Sequence, residues 1–183
     1  MYTDEDEEKV NIDGIYYSKD KTILLEDEYE KSIKNVNIID GVIEIGDFAF
    51  AGSKSLETVK CPDSLETIRG SAFFNCENLK TVELPEDLIT IEDGVFQGCK
   101  NLETIELPDS LETIDAFAFL DCVALKNIKL PDSLLDLGQS AFEGCTSLTS
   151  LKIPKYVTNI AKSLVAKCPN LEVLYIPSTI TEF

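Results

Sequence analysis

The segment Ala72–Pro85, AFFNCENLKTVELP, decides the fold, because its pattern returns along the chain at a fixed step of 23 residues. Several residue types keep this step, and the fullest columns are Cys76, Cys99, Cys122, Cys145 and Cys168; Pro62, Pro85, Pro108, Pro131, Pro154 and Pro177; and Phe50, Phe73, Phe96, Phe119 and Phe142. A period sustained without insertion or deletion predicts a repeat array in which each copy stacks on the next.

The first half of each period predicts a β-strand. Val82 and Leu84 point one way and Thr81 and Glu83 the other, which is the alternation of a strand with one buried face. Pro85 then ends the strand, because proline has no amide hydrogen to donate to a neighbour. One coil of 23 residues buries too little to stand alone, so we expect parallel, in-register strands forming one continuous sheet along the array.

The second half of each period predicts a turn followed by a short helical or 3-10 segment. In GVFQGC (Gly94–Cys99), the apolar residues Val95, Phe96 and Cys99 are spaced i, i+1 and i+4, as on one face of a helical turn. The sequence therefore predicts an α/β repeat with parallel strands on one side of the solenoid and short helical or 3-10 segments on the other.

Three regions follow from this reading: a disordered acidic tail over residues 1–9, a cap with an imperfect first coil over 10–40, and the array over 41–183. Within the cap, Ile15–Tyr17 and Thr22–Leu25 predict a hairpin. The segment Glu26–Lys34 is predicted to be a loop. The last predicted strand, Leu171–Ile176, exposes an edge and an apolar flank. We therefore expect either a longer natural chain or end-to-end self-association through this uncapped coil.

The charge of the chain limits its partners. A formal net charge of −18 disfavours nucleic acids and anionic membrane surfaces, which select for an excess of Lys and Arg. No apolar run approaches the roughly 20 residues needed to span a bilayer, so no membrane insertion is expected. The acidic N-terminus also lacks the apolar core of a secretory signal.

The cysteines occupy apolar slots, which favours buried thiols over disulfides. Cys61 stands where other periods have Leu or Ile, and the other five share a slot of their own. Parallel neighbours in a stack come close enough for a disulfide but do not adopt its dihedral of about 90°. A metal-binding thiol stack is the alternative, although a linear column does not supply tetrahedral sulfur geometry.

The sequence offers no catalytic, metal-binding or cofactor-binding site. It contains no histidine, which removes Ser-His-Asp and Cys-His catalysis and the commonest zinc sites. Carboxylates are abundant, but the repeat places them on solvated strands and turns rather than in the enclosed site that pKa tuning needs. A hydrolase is the remote alternative.

The outward strand positions are the predicted partner surface. We expect cross-strand ion pairs Lys60–Glu83 and Glu106–Lys129, and a second row Glu57–Lys80–Glu103–Lys126 just before the strands. The simpler interpretation is that these charges only neutralise a polar sheet. The predicted partner-binding residues are Lys60, Glu83, Glu106, Lys129, Lys152, Lys155, Tyr156 and Tyr175. A second, apolar candidate surface is predicted to be half exposed and consists of Phe48, Phe74, Phe117 and Leu120.

Two periods carry a resemblance to a known family: LETIELPDSLETIDAFAFLDC (Leu102–Cys122) and LKNIKLPDSLLDLGQSAFEGC (Leu125–Cys145). They resemble the BspA-like, or Treponema-type, leucine-rich repeat, whose pattern runs L-x-x-I-x-I-P-x-S-V-T-x-I-G-x-x-A-F-x-x-C. The resemblance covers residues 13–180 and departs locally, for example at Leu164–Cys168, which lacks the Phe. It implies a right-handed leucine-rich-repeat solenoid with strands on the concave face, in a cell-surface or secreted protein.

The predicted function is protein recognition or adhesion without catalysis, through the exposed strands. The resemblance does not transfer any functional residue, because the adhesive roles of the family follow no fixed motif. The alternative is a structural spacer or scaffold in a longer chain. Localisation stays open between the surface implied by the resemblance and the cytosol, which buried thiols and the absence of N-x-S/T sequons would suit equally.

Overall fold

The fold is a β-solenoid of about six turns with parallel strands. The structure is a computed structural model, and it describes residues 9–27 and 32–180. Its strands are β1 (Val10–Ile12), β2 (Ile15–Tyr17), β3 (Ile23–Asp27), β4 (Asn35–Asn37), β5 (Glu44–Ile45), β6 (Thr58–Lys60), β7 (Thr67–Ile68), β8 (Thr81–Glu83), β9 (Thr90–Ile91), β10 (Thr113–Ile114), β11 (Asp136–Leu137), β12 (Ser150–Lys152) and β13 (Val173–Tyr175).

The longest sheet does not contain the strands read most clearly from the sequence. It has eight strands in the order β1-β2-β3-β5-β7-β9-β10-β11, and we call it the long sheet. From β3 onward its neighbours are parallel, and from β5 onward they are one period apart, as in the pairing of Ile45 with Ile68 and of Ile68 with Ile91. These inward residues are fully buried. Strands of two residues are too short to show alternation, which is why the sequence pattern predicts only a turn with an apolar pair here.

The N-terminal hairpin joins the long sheet. Strand β2 pairs antiparallel with β3 as expected, and a further strand, β1, pairs with β2. Strand β3 continues to Asp27, into the segment predicted to be a loop. Because β3 also pairs in parallel with β5, the hairpin covers the first coil of the array. The predicted tail falls outside the described residues except for Lys9.

The sheet predicted from the L-x-x-V-x-L pattern is interrupted. Strands β4, β6 and β8 pair in parallel, with Val36, Val59 and Val82 in register, and β12 pairs with β13. In the two coils between them, residues 104–106 and 127–129 are not in strands. The prediction of one continuous sheet on this side is therefore wrong. The continuous ladder lies on the long sheet instead.

The predicted helical or 3-10 segments are also wrong, because the described residues contain no helix. Two positions in each of these segments have positive φ, as at Ser71 (57°) and Asn75 (55°), which interrupts any helix. Alternate amides donate to the next coil, as from Phe73 to the carbonyl of Val95 (3.0 Å). We call this series of hydrogen-bonded turns the turn side of the solenoid.

The core consists of columns that run along the solenoid axis. The rings of Phe50, Phe73, Phe96, Phe119 and Phe142 stack with centroids 5.3–5.5 Å apart. All five are buried, and the cysteines at 76, 99, 122 and 145 lie beside them at zero exposure. Each coil thus buries the flank of the next, which supplies the interior that a single coil lacks.

Candidate protein-interaction surface

The outward side chains of β4, β6, β8, β12 and β13, with the equivalent side chains of the two interrupted coils, form one surface, which we call the strand face. Seven coils contribute two residues each: Asn35 and Asn37, Thr58 and Lys60, Thr81 and Glu83, Thr104 and Glu106, Asn127 and Lys129, Ser150 and Lys152, and Val173 and Tyr175. Most of these residues are exposed, and Thr58 and Ser150 are half-buried.

We call the outward row that runs from Lys60 to Tyr175 the central row. Only part of the charge pairing predicted for this row is present. Lys60 and Glu83 form an ion pair at 3.5 Å, with both side chains about two-thirds exposed. Within the described part of the chain, Glu106 and Lys129 form no ion pair with each other or with another residue. The physical reason is the interrupted ladder, because no strand pairing holds these two residues side by side.

The row just before the strands is interrupted one coil earlier, between Lys80 and Glu103. Glu57 lies between Lys34 (3.3 Å) and Lys80 (2.7 Å), and hydrogen bonds from Lys80 and Lys34 lower the pKa of its carboxyl group. Glu103 pairs with Lys126 at 2.8 Å. The predicted link from Lys80 to Glu103 is absent among the described residues, and an open groove of about 420 Å³ separates the two coils there.

An acidic groove of about 580 Å³ lies where the ladder stops after β8. Glu83 and Glu106 line it, as do Glu86 and Asp109 from the turns that follow the prolines. The sequence prediction included the first two and missed the turn residues. Their signal was present, since an acid stands one or two places after Pro85 and directly after Pro108.

A second groove, of about 500 Å³, lies where the ladder resumes at β12. Its lining includes two bases, two acids and an aromatic ring: Lys129, Lys152, Asp109, Asp132 and Tyr175. The structure therefore brings three of the predicted partner-binding residues together in one partly aromatic groove of mixed charge, which we call the mixed groove.

The remaining two predicted residues form a separate pair. The ammonium of Lys155 lies 4.5 Å from the ring centroid of Tyr156, a cation–π contact in the turn after Pro154. Tyr156 is 54% exposed and Tyr175 is 59% exposed, so both rings are available to a partner.

The second, apolar candidate surface is only partly as predicted. Phe74, Phe117 and Leu120 are half-buried, whereas Phe48 is 62% exposed. Phe48 and Phe117 share one of the positive-φ positions of the turn side, with φ of 57° and 59°. These rings lie on the turn side, not on the strand face.

Arg69, the chain's only arginine, was not singled out from the sequence. Its guanidinium contacts Glu44 at 2.9 Å and Glu92 at 3.0 Å, and these carboxylates raise its pKa. Glu44 and Glu92 lie one coil to either side of it, so Arg69 links three coils beside the long sheet. The positive charge of Arg69 is therefore neutralised within the cluster.

All six cysteines are thiols. Each thiol of the 23-step column donates to a Phe carbonyl of the preceding coil, as from Cys99 to Phe73 (3.3 Å) and from Cys122 to Phe96 (3.1 Å). Burial raises the pKa of Cys61 to about 12 and raises that of Cys99 and Cys122 well above its usual value. These thiols therefore remain protonated and serve as small donors in the core. In residues 9–27 and 32–180, no three His, Cys, Asp or Glu side chains are grouped to hold a metal ion.

No helix in the described ranges is long and apolar enough to cross a bilayer.

Comparison with known proteins identifies the repeat. A family profile described as BspA type leucine rich repeat region matches residues 28–116 and 72–183, with six copies. The crystal structure of a T. pallidum leucine rich repeat protein (TpLRR) is similar at 33% identity and a TM-score of 0.83, covering 92% of this chain and 81% of that one. No curated protein matches the sequence.

Two longer relatives show the same architecture. A leucine-rich repeat protein from Bacteroides ovatus is 26% identical with a TM-score of 0.66, and the match covers 93% of this chain and 51% of that one. A leucine rich cell surface protein from Faecalibacterium prausnitzii is 25% identical with a TM-score of 0.66, covering 92% and 39%. The chain thus spans about half or less of the length of these two relatives.

Proposed function

The chain belongs to the BspA-type leucine-rich repeat family, and on that basis we propose that it is a recognition or adhesion module that binds a protein ligand through the strand face. Members of this family are generally non-enzymatic binding modules. Concave or flat sheet faces are the usual binding surfaces of solenoids.

The observation that carries this proposal is the clustering of grooves on one side of the solenoid. The acidic groove, the mixed groove and the smaller groove beside Lys80 all lie where the ladder of the strand face is interrupted. The exposed Tyr175 ring adds the kind of amphipathic aromatic side chain that is enriched at binding hot spots.

We place the module at the cell surface or in a secreted protein. The family is typically found there, and the relative from F. prausnitzii is described as a cell surface protein. In the longer relatives the same repeats are part of a larger chain, so a spacer that only projects other domains is the competing function.

Site-specific photo-crosslinking in the source cells tests the proposal. A benzophenone amino acid replaces Asn127 on the strand face or, as the matched control, the exposed Glu112 beside the long sheet. We expect crosslinks to a defined protein only from position 127, and their loss when Lys152, Lys155 and Tyr175 are changed to Ala. Equal yields from both positions would favour the spacer.

A further inference from the structure

The central row of the strand face has a charge order that is complementary to itself. From β6 to β13 it runs positive, negative, negative, positive, positive and aromatic: Lys60, Glu83, Glu106, Lys129, Lys152, Tyr175. A two-fold axis between the third and fourth positions brings Glu106 opposite Lys129 of a second copy. The same rotation brings Glu83 opposite Lys152 and Lys60 opposite the ring of Tyr175.

We propose that the protein partner of the strand face is a second copy of this chain, docked antiparallel about this two-fold axis. The proposal rests on the function proposed above and names the occupant of that surface. Two-fold dimers require one patch to complement itself, so that each contact occurs twice. Here every position of the row meets a partner of opposite charge or an aromatic ring suited to a cation.

The spacing of the row allows these contacts to form together. Paired strands, about 4.8 Å apart, lie at both ends of the row, and the unpaired junctions lie symmetrically between them. Once Glu106 lies opposite Lys129, the outer positions therefore meet without adjustment. The second outward row does not hold the copies apart, because it is short or small in every coil: Thr58, Thr81, Thr104, Asn127, Ser150 and Val173.

The grooves support the same arrangement. The two-fold rotation places Glu106 and Glu83 of the acidic groove opposite Lys129 and Lys152, which line the mixed groove together with Asp109 and Asp132. Glu106, Lys129 and Lys152 take part in no ion pair within residues 9–27 and 32–180. In the proposed dimer, a second copy supplies oppositely charged partners for these three residues.

The overall charge of the chain allows the proposed interface to be distinguished from general electrostatic effects. At −18 the chain repels itself, so general electrostatics oppose dimer formation. Glu106→Lys makes each chain less acidic, and general repulsion alone would then favour association. The proposed interface requires the opposite, since the change places two lysines against each other twice in the dimer.

Analytical ultracentrifugation of the whole chain tests this, from about 10 µM to 1 mM, the range suited to a small, polar and transient interface. We expect a monomer–dimer equilibrium for the wild type. Glu106→Lys and Lys129→Glu should each weaken dimerisation about tenfold or more, because each reversal removes two symmetry-related pairs. Mixing the two variants should restore the wild-type affinity as a heterodimer, in which every opposed pair again has opposite charges.

The controls carry the same charge changes away from the strand face. Glu112→Lys and Lys162→Glu lie at exposed positions beside the long sheet and on the turn side. They should leave the dimer within about twofold of the wild type. Circular dichroism checks that each variant is folded.

Several results would overturn the proposal: a wild-type monomer at every concentration, a dimer indifferent to both reversals, or a mixture of variants that stays monomeric. Open-ended oligomers that ignore the reversals would point instead to the edge of β13. A monomer that still crosslinks a foreign protein from position 127 would reject the second copy while leaving the recognition function standing. Crosslinking no stronger from position 127 than from position 112 would contradict the recognition function itself.

Discussion

The turn side and the strand face share one 23-residue step, yet only the turn side repeats without interruption. On the turn side the Phe rings stack at 5.3–5.5 Å from Phe50 to Phe142. On the strand face the ladder stops after β8 and resumes only at β12. Identical buried residues therefore keep the repeat regular, whereas exposed positions vary and decide whether neighbouring strands pair.

Charge accounts for two of the three missing pairings. Glu83 stands next to Glu106 in the row, and Lys129 stands next to Lys152. Like charges directly opposite each other destabilise strand pairs. The middle junction, Glu106 with Lys129, has opposite charges but lies between the two repelling ones. In the long sheet the equivalent outward residues of three successive coils are the half-buried Thr67, Thr90 and Thr113, and the ladder is continuous.

High pH should unfold the chain, because it acts on the buried thiols, most of which belong to the turn side. Burial raises the folded-state pKa of Cys61, Cys99, Cys122 and Cys145 above the usual 9.0. The stabilisation that these raised pKa values provide is complete below the pKa of the thiols in the unfolded chain. It is lost as the pH rises from that value toward the higher pKa of the thiols in the folded chain. With four such thiols, the free energy of unfolding falls by about 5.6 kcal/mol per pH unit, at about 1.4 kcal/mol for each thiol. We expect cooperative unfolding, followed by circular dichroism, within about two units above pH 9.

A double variant separates titration from packing. With Cys99→Ala and Cys122→Ala, stability at pH 7 falls, but the slope of unfolding free energy against pH between 9 and 10 should drop to about half. An unchanged slope would show that the thiols do not govern alkaline unfolding.

Removing one ring from the Phe column should have the next largest effect. Phe96 has no exposed surface and stacks on both Phe73 and Phe119. Phe96→Ala should lower the free energy of unfolding by about 3–5 kcal/mol in urea titrations. Phe48→Ala is the matched control, since that ring is 62% exposed, and should change stability by about 0.5 kcal/mol or less. Equal losses of stability in the two variants would mean that the buried Phe column is not what keeps the repeat regular.

Replacement by a larger side chain should destabilise the protein more at Cys122, on the turn side, than at Cys61, which follows β6. Cys122→Leu overfills a buried slot and removes the thiol that donates to Phe96, so it should cost about 1–3 kcal/mol. Cys61→Leu installs the residue that Leu84, Leu107 and Leu130 provide in that slot, and should cost less than about 1 kcal/mol. Chemical denaturation of both variants measures the difference, which disappears if both cysteines are only apolar fillers.

The smallest expected effect comes from repairing the charge order of the strand face. Glu106→Lys with Lys129→Glu makes the row alternate in sign from Lys60 to Lys152. We expect a gain of about 0.5–1 kcal/mol from the new cross-strand pairs, and slower hydrogen exchange of residues 104–106. Exchange as fast as in the wild type would show that charge does not keep the ladder open.

Much of the architecture could be predicted from the sequence, and particular residues show where prediction stopped. Val82 and Leu84 indicated their strand because alternation is visible over several residues, and the thiols were recognised because Cys61 shares a slot with leucines. The spacing of Val95, Phe96 and Cys99 was misread as a helical turn, since hydrogen-bonded turns with two positive-φ residues place side chains at the same intervals. The grooves could not be predicted, because they arise from pairings that fail to form.

The sequence by itself determined the period, the parallel stacking and the residues of the buried columns, because these follow from which apolar side chain recurs at each step. Only the tertiary structure decided which side of the coil carries the continuous ladder, and which exposed charges meet. Those outcomes depend on neighbours 23 residues apart, whose contacts form only when the coils are stacked. The candidate interaction surface lies at the coils where the sequence repeat continues but neighbouring strands do not pair.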